Sequence, residues 1–192
     1  MNIINPALPT GATVIVYTDG SCINNGSPFA FGGWAAVLEY PQEQRRISGR
    51  AELTTSNRME LTAIIEALKA IRSDWGDAHV IVNTDSAYVS RGCNEWLQGW
   101  KAKGWVNAQR KPVENQDLWQ ELDALLMARS VEVRWIKGHS GHPMNELADK
   151  MAVAAAYGNT FAMAHFQPGD ARDHFDRCGV PNGGLFGGVI PA

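Results

Sequence analysis

Short apolar runs separated by polar turns occupy the first quarter of the chain. Residues 12–18 read ATVIVYT, a β-branched run that ends in Asp-Gly-Ser, and this combination is typical of a strand followed by a turn. A second apolar run covers residues 33–40, and a third run, over 45–53, is half polar. Because only short loops separate these runs, they predict three antiparallel strands that follow one another in a sheet.

The period of the pattern changes after residue 53. Apolar residues recur at helical spacing between positions 61 and 71, which predicts a long helix, with Asn57 and Glu60 as its capping box. Further elements are predicted as a buried parallel strand over 79–83, a short helix over 86–93, a helix around 118–126, a strand over 131–136 and a final helix over 146–157. The order β-β-β-α-β-α-α-β-α indicates an α/β domain.

The composition divides the chain into three parts. We expect an N-terminal segment over 1–10, a domain over 11–158, and an extension over 159–192 whose role the sequence does not indicate. The last 35 residues, from Gly158 onward, contain seven glycines and three prolines and show no period.

Overall composition narrows the classes of protein that fit. Hydrophobic residues make up 45% of the 192 residues, which argues against wholesale disorder, and a net charge of −3 argues against binding nucleic acid by bulk charge. Three widely spaced cysteines indicate neither a disulfide framework nor a zinc knuckle. Without an export signal or an apolar run of ~20 residues, the expected class is a soluble cytoplasmic protein with no membrane contact.

Four carboxylates fall where the predicted elements bring them together. Asp19 follows the first strand, Asp85 follows the fourth, Glu60 opens the long helix and Asp149 lies early in the last one. Taken singly, each has an ordinary interpretation: Asp19 as a turn residue, Asp85 as a helix cap, Glu60 as part of a capping box, and Asp149 as a surface acid. Taken together at one sheet edge, they would repel one another unless divalent cations lay among them, and Mg²⁺ prefers such oxygen ligands.

Five short motifs in order resemble those of type 1 ribonuclease H. They are TDGS at 18–21, NRMEL at 57–61, TDS at 84–86, GHSGHP at 138–143 and NELAD at 145–149. The resemblance implies a ribonuclease H-like fold, a mixed five-stranded sheet of three antiparallel strands followed by two parallel ones, with helices on both faces. It also implies a metal-dependent endonuclease that hydrolyses the RNA strand of RNA–DNA hybrids and leaves 5′-phosphate and 3′-hydroxyl ends.

The resemblance assigns roles to five side chains. Asp19, Glu60, Asp85 and Asp149 would be the catalytic acids that hold two Mg²⁺ ions, with Mn²⁺ as an alternative. His139, on the loop before the last helix, would assist proton transfer or product departure, for which an imidazole neutral near pH 7 is suited.

A tryptophan-rich segment carries local positive charge. Residues 91–111 contain five basic residues and one acid, a local charge of +4. Residues of about 94–112 resemble the basic handle of bacterial type 1 enzymes, which grips the DNA strand. The other interpretation is a buried aromatic face beside solvated lysines. Its candidates for hybrid contact are Trp96, Trp100, Lys101, Lys103 and Trp105.

A second group of candidates follows from the resemblance alone. Cys22, Ser56 and Asn57 would lie along the minor groove of the hybrid, and Thr55 would line a pocket for a DNA phosphate. The chain departs from the family pattern in the loop over 22–31 and at Ala87, where relatives often carry glutamine. Altered affinity or cleavage preference is expected from these departures, with the chemistry unchanged.

Two other functions remain open from the sequence. One is a different nuclease on the same fold, such as a junction resolvase or an exonuclease. The other is a non-catalytic module that binds nucleic acid, which the four retained acids argue against because they would repel phosphates. The favoured hypothesis is a monomeric ribonuclease H whose partner is an RNA–DNA hybrid.

Overall fold

The computed structural model describes residues 11–71 and 78–159, together with the backbone of 164–166. These residues form a mixed sheet in the order β5-β4-β1-β2-β3-β6. The strands are β1 (Thr13–Ile23), β2 (Phe31–Glu39), β3 (Gln44–Glu52), β4 (His79–Thr84), β5 (Val131–Trp135) and β6 (Ala164–Phe166). The first three pair antiparallel, β4 pairs parallel to β1, and β5 pairs parallel to β4. The predicted five-stranded mixed sheet is confirmed, and β6 adds a short sixth strand antiparallel to β3.

Helices cover both faces of the sheet. They are α1 (Ser56–Ala70), α2 (Ala87–Arg91), α3 (Leu97–Ala102), α4 (Gln116–Met127) and α5 (Pro143–Ala156), with a π-helical turn over Gly92–Trp96 between α2 and α3. Because side chains alternate across a strand, β2 sends Ala36 and Leu38 into the larger core beneath α1 and α4, and Ala35 and Val37 into a smaller core beneath α5.

The close packing of α5 depends on a glycine in β2. A Cβ atom at Gly33 would overlap the carbonyl oxygen of Ala152 and the backbone nitrogen of Ala156. The alanine-rich face of α5 therefore lies directly on the sheet backbone. This approach holds the first turns of α5, which carry Asp149, beside β1.

Two local predictions are wrong, and so is the alternative interpretation of Asp85 as a helix cap. The Asp-Gly-Ser sequence is not a turn, because β1 continues through it to Ile23 in register with β2. Asn57 and Glu60 do not form the capping box, because Thr55 is the N-cap of α1 and its Oγ1 accepts a hydrogen bond from the Arg58 N–H at 3.3 Å. Asp85 does not cap the next helix, because Ser86 Oγ accepts the bond from the Val89 N–H.

The predicted helix over 86–93 is longer than expected. It passes through the π-helical turn and on into α3, which ends at Ala102. Asn94 ties the turn in place, since its side-chain amide donates to the carbonyls of Ser90, at 2.9 Å, and Val133, at 3.0 Å. Within the described ranges, none of the helices has the length and apolar character needed to cross a bilayer.

Candidate active site

Two of the four acids lie next to each other because of strand register. β1 and β4 pair in parallel as far as Thr18 opposite Thr84, so Asp19 and Asp85 are the next residues in each strand direction. β4 ends there, whereas β1 continues along β2. The acids therefore stand at the carboxyl edge of the parallel strands, where α/β sheets place their sites.

Glu60 reaches the same place because α1 lies against β1 at a glycine. A Cβ atom at Gly20 would overlap the backbone nitrogen of Glu60 and lie 2.5 Å from the carbonyl carbon of Met59. With Gly20 in place, carboxylate oxygens of Asp19, Glu60 and Asp85 all lie within 4.8 Å of one another. Three of the four acids singled out from the sequence therefore lie together, and Asp149 is not one of them.

Burial and mutual repulsion oppose ionisation of this cluster. The pKa of Asp19 rises to about 8, because of burial first and then the nearby charges of Asp85 and Asp149, against a lowering hydrogen bond from the Gly20 backbone. The pKa of Glu60 is raised well above its ordinary value by burial and by the charges of Asp19 and Asp85. Without a cation, burial and repulsion therefore favour the protonated forms of Asp19 and Glu60.

The donor set fits a divalent metal ion. Glu60 Oε2 is buried and has no hydrogen-bond partner among the described residues. An acceptor in that position is costly unless a cation satisfies it. The ligand atoms are carboxylate oxygens, which Mg²⁺ and Mn²⁺ prefer, and a cation at the centre would offset the repulsion that raises their pKa values.

Asp149 and His139 lie on the open side of the cluster. His139 Nδ1 is 3.9 Å from Asp149 Oδ2, and the histidine side chain is 82% exposed. Burial raises the pKa of Asp149, and the charge of Asp85 adds to that effect. His139 has a φ of 49° in a loop that also bends at Gly141, whose N–H donates to Glu146 Oε1 at 3.1 Å. The predicted histidine therefore stands at the mouth of the site beside a predicted acid.

Two residues of the site were not singled out from the sequence. Asn145 is buried, and its side-chain amide donates to Asp85 Oδ2 at 3.1 Å. A Cβ atom at Gly138 would lie 2.5 Å from the same oxygen. Both residues belong to the motifs quoted above. Only the position of Asp85 in the structure shows that Asn145 orients the Asp85 carboxylate and that Gly138 leaves room for it.

The predicted groove residues form one surface beside the acids. Cys22 lies at the end of β1 with its Sγ 3.6 Å from the carbonyl of Thr54. Thr55 is the N-cap of α1, and Ser56 and Asn57 begin its first turn. The Ser56 N–H donates to Asn25 Oδ1 at 3.3 Å. The first turn of α1 thus links the loop after β1 to Glu60, one turn further along the helix.

The tryptophans of the handle are mainly packing residues. Trp96 and Trp100 have ring centroids 5.6 Å apart, and Trp100 lies 5.3 Å from the fully buried Trp119. Trp105 also packs against the larger core. Each of the three predicted tryptophans nevertheless keeps part of its surface exposed, so packing in the handle does not remove them from contact with a substrate.

The two predicted lysines differ in their surroundings. Lys101 Nζ donates to Asp123 Oδ1 at 2.8 Å and is only 27% exposed, so an acid from α4 neutralises its charge. Lys103 follows α3 and is exposed, and none of the acids in the described part of the chain lies within salt-bridge distance of it. The structure thus leaves Lys103, rather than Lys101, as the available cation of the pair.

Comparisons with known proteins place this geometry in a family. The family model for RNase H matches residues 11–157. The chain belongs to the RNase H family. It is 46% identical over 157 residues to a ribonuclease H of Cronobacter sakazakii, covering 81% of this chain and 94% of that one. It is 50% identical over 139 residues to a ribonuclease H of Polynucleobacter asymbioticus, covering 72% of this chain and 86% of that protein.

Solved structures agree with this assignment to the RNase H family. LC9-RNase H1, described as a type 1 RNase H with the type 2 active-site motif, matches with a TM-score of 0.73 at 33% identity, over 88% of this chain and 85% of that one. A foamy viral protease-reverse transcriptase in complex with an RNA/DNA hybrid matches at 25% identity with a TM-score of 0.65, over 78% of this chain and 21% of that one. The predicted family, fold and enzyme class are confirmed.

Proposed function

We propose that the chain is an endonuclease that hydrolyses the RNA strand of RNA–DNA hybrids with two Mg²⁺ ions, and that Mn²⁺ is an alternative. The observation that carries the proposal is the meeting of Asp19, Glu60 and Asp85 within 4.8 Å in a member of the RNase H family. A module that only binds nucleic acid gains nothing from buried acids facing phosphates, since they repel its ligand.

In this mechanism the acids would hold the ions, and His139 on the loop before α5 would transfer protons. Asp19, Glu60 and Asp85 would provide the oxygen ligands of the central cluster, and Asp149 would add one from its open side. Asn145 holds the Asp85 carboxylate in one orientation. Two bound ions would activate the attacking water and stabilise the leaving oxygen. The water oxygen bonds to phosphorus as the bond to the 3′ oxygen breaks, which gives 5′-phosphate and 3′-hydroxyl ends.

His139 is placed to manage the proton that this reaction releases. Its imidazole stands at the mouth of the site, 3.9 Å from Asp149. A neutral imidazole accepts a proton and then releases it to solvent, which suits a highly exposed side chain. We infer that His139 carries protons or helps the product leave, and that it does not hold the ions.

Recognition of the hybrid is divided between two surfaces. The groove residues Cys22, Ser56 and Asn57 offer polar groups that can bond to 2′-hydroxyls, by which RNA is distinguished from DNA. Thr55 would line a pocket for a DNA phosphate. The handle adds charge that binds phosphates without regard to sequence. We further propose that the enzyme acts as a monomer in the cytoplasm, as befits a bacterial-type ribonuclease H.

A substrate panel tests the proposed function. The purified chain is given an RNA–DNA hybrid, duplex DNA, duplex RNA and each single strand, in Mg²⁺ and in EDTA. Cleavage of the RNA in the hybrid alone, abolished by EDTA, is the expected result. Cleavage of DNA would favour another nuclease on this fold, and binding without cleavage in Mg²⁺ would favour a non-catalytic module.

Metal binding is expected to change how stability depends on pH. In the metal-free protein, folded Asp19 keeps its proton up to about pH 8, whereas the unfolded chain loses it near its ordinary pKa of 3.8. Proton binding thus favours the folded state at low pH, and its contribution is lost as the pH rises to about 8. We expect Tm to fall between pH 5.5 and 8.5, and Mg²⁺ to raise Tm more at pH 8.5 because it displaces protons.

Calorimetry at both pH values, with and without 10 mM Mg²⁺, measures this effect. Asp19→Asn serves as the control, because it removes both the proton site and a metal ligand. An equal effect of Mg²⁺ on the wild type and on Asp19→Asn would show that the ion binds elsewhere.

The two handle lysines are expected to respond differently to substitution. Lys103→Ala should raise KM about two- to threefold at low salt and reduce the slope of log KM against log salt by about one, with kcat unchanged. Lys101→Ala should have less effect on KM, because Asp123 already neutralises its charge, and should cost about 0.5–1 kcal/mol of stability. Steady-state kinetics over a salt series and urea unfolding measure both. A larger KM effect from Lys101→Ala would contradict this assignment.

A further inference from the structure

Two apolar side chains stand out on the surface next to the groove residues. Phe29 is 78% exposed and Leu53 is 77% exposed, the two highest values among the large apolar side chains that the structure describes. They lie on neighbouring loops, since the Leu53 N–H donates to the carbonyl of Ala30 at 2.8 Å. We call them the apolar pair. Exposed hydrophobic residues grouped in this way commonly mark an interaction site.

The loop that carries Phe29 is held in place by its own hydrogen bonds. The Ser27 N–H donates to the Asn24 carbonyl at 2.9 Å, and the Ala30 N–H donates to the Ser27 carbonyl at 3.1 Å. The Phe29 N–H donates to Ser27 Oγ at 3.1 Å. The aromatic ring therefore projects from a defined loop, which lowers the entropy cost of using it in a contact.

Leu53 is held outward by an unfavourable backbone conformation. Its φ is 49°, in the left-handed region that leucine rarely occupies. The bond to Ala30 on one side and the start of α1 on the other fix this conformation. Strain of this kind is retained where the position of a side chain matters to function.

The apolar pair is continuous with the catalytic acids. Glu60 is one helical turn from Ser56, and Ser56 donates to Asn25 in the loop that carries Phe29. The part of β1 from Asp19 to Ile23 is about 13 Å long at the usual rise per residue. Phe29 and Leu53 thus extend the same surface beyond the groove residues, at a distance that a bound hybrid duplex spans.

The chemistry of the pair indicates which strand it contacts. A deoxyribose presents a hydrocarbon 2′ position, whereas a ribose would bury a 2′-hydroxyl against hydrocarbon without a hydrogen-bond partner, at a cost in free energy. The groove residues nearer the acids are polar and suit 2′-hydroxyls. We propose that Phe29 and Leu53 contact deoxyriboses of the DNA strand and thereby select substrates in which a DNA strand lies opposite the RNA. This inference rests on the proposed function.

The test compares Phe29→Ser/Leu53→Ser with wild type and with Met127→Ser. Met127 is a matched control because it is 74% exposed and lies just before β5, which runs from there toward the edge that carries Asp85. Its Sδ accepts a hydrogen bond from Lys101 Nζ at 3.3 Å, but Asp123 also holds that lysine, so the handle does not depend on Met127. The substrates are a hybrid with an all-deoxy DNA strand and a hybrid whose DNA strand carries ribonucleotides along the contacted stretch. Circular dichroism verifies the fold of each variant.

We expect the double variant to raise KM for the all-deoxy hybrid about fivefold with kcat unchanged, and Met127→Ser to leave KM unchanged. The preference of wild type for the all-deoxy substrate, measured as a ratio of kcat/KM, should shrink several-fold in the double variant. An unchanged KM or an unchanged preference would overturn the inference. So would sedimentation that showed wild type as a dimer and the double variant as a monomer, since the pair would then be a self-association surface.

The same experiment separates this inference from the proposed function. If wild type does not cleave either hybrid, the proposed function fails. If wild type cleaves and the double variant behaves as wild type does, only the role of the apolar pair fails.

Discussion

Asp19→Asn and Asp85→Asn are each expected to lower kcat by on the order of 10³-fold or more while the fold stays intact. Each substitution removes one charged oxygen ligand from a cluster whose ligand atoms lie within 4.8 Å. An amide keeps the shape of the side chain, so Asn145 still finds an acceptor at position 85. Cleavage of a labelled hybrid in Mg²⁺ measures the loss, and circular dichroism measures the fold.

Stability gives the same substitutions a second readout. Asp19→Asn removes a buried carboxyl that repels Asp85 and Asp149, so the metal-free variant should unfold at a higher temperature than wild type at pH 8.5. Glu66→Gln is the matched control: Glu66 lies on the same helix as Glu60 but pairs with Lys69 at the surface. Wild-type activity in either aspartate variant would refute the assignment of these acids as metal ligands.

The elements of the fold were predictable wherever burial alone determines them. The apolar runs over 12–18 and 79–83 correspond to β1 and β4, because strands covered on both faces need continuous apolar sequence. The helical spacing after residue 61 corresponds to α1, because one face of that helix packs on the sheet. In each case the hydrophobicity of a side chain is enough to predict that it lies in the core.

The ends of elements were less predictable because tertiary pairing decides them. Asp-Gly-Ser has the composition of a turn, yet β2 supplies pairing partners that carry β1 on to Ile23. Residues 54–57 read TTSN, four residues that all favour helix N-caps, so composition does not distinguish Thr55 from its neighbours. Such choices depend on where the neighbouring strand or helix lies.

The candidate site was likewise predictable only in part from the sequence. The meeting of Asp19 and Asp85 follows from their places after parallel strands, which the sequence indicates. The roles of Asn145 and Lys101 do not follow, because each depends on one distant partner: Asp85 lies 60 residues from Asn145, and Asp123 lies 22 residues from Lys101. Burial and ion pairing of single polar residues leave no periodic trace in a sequence.

Gly20→Ala is expected to reduce both activity and stability severely, although residue 20 bears no chemical group. Its Cβ would overlap the backbone nitrogen of Glu60, and neither β1 nor the first turn of α1 can yield by rotating a side chain. Forced displacement of packed backbone costs about 1–3 kcal/mol or more. A shift of α1 by about 1 Å would move the Glu60 carboxylate from its partners and lower kcat by about 10²-fold.

Gly99→Ala is the control, because a Cβ there meets no atom within 4 Å and the residue lies inside α3. It should stabilise the protein by about 0.5–1 kcal/mol, since alanine favours a helix more than glycine does, and should leave kcat unchanged. Urea unfolding and hybrid cleavage are measured on both variants. If Gly20→Ala kept wild-type kcat and Mg²⁺ affinity, the close approach of α1 to β1 would not be what places Glu60 among the acids.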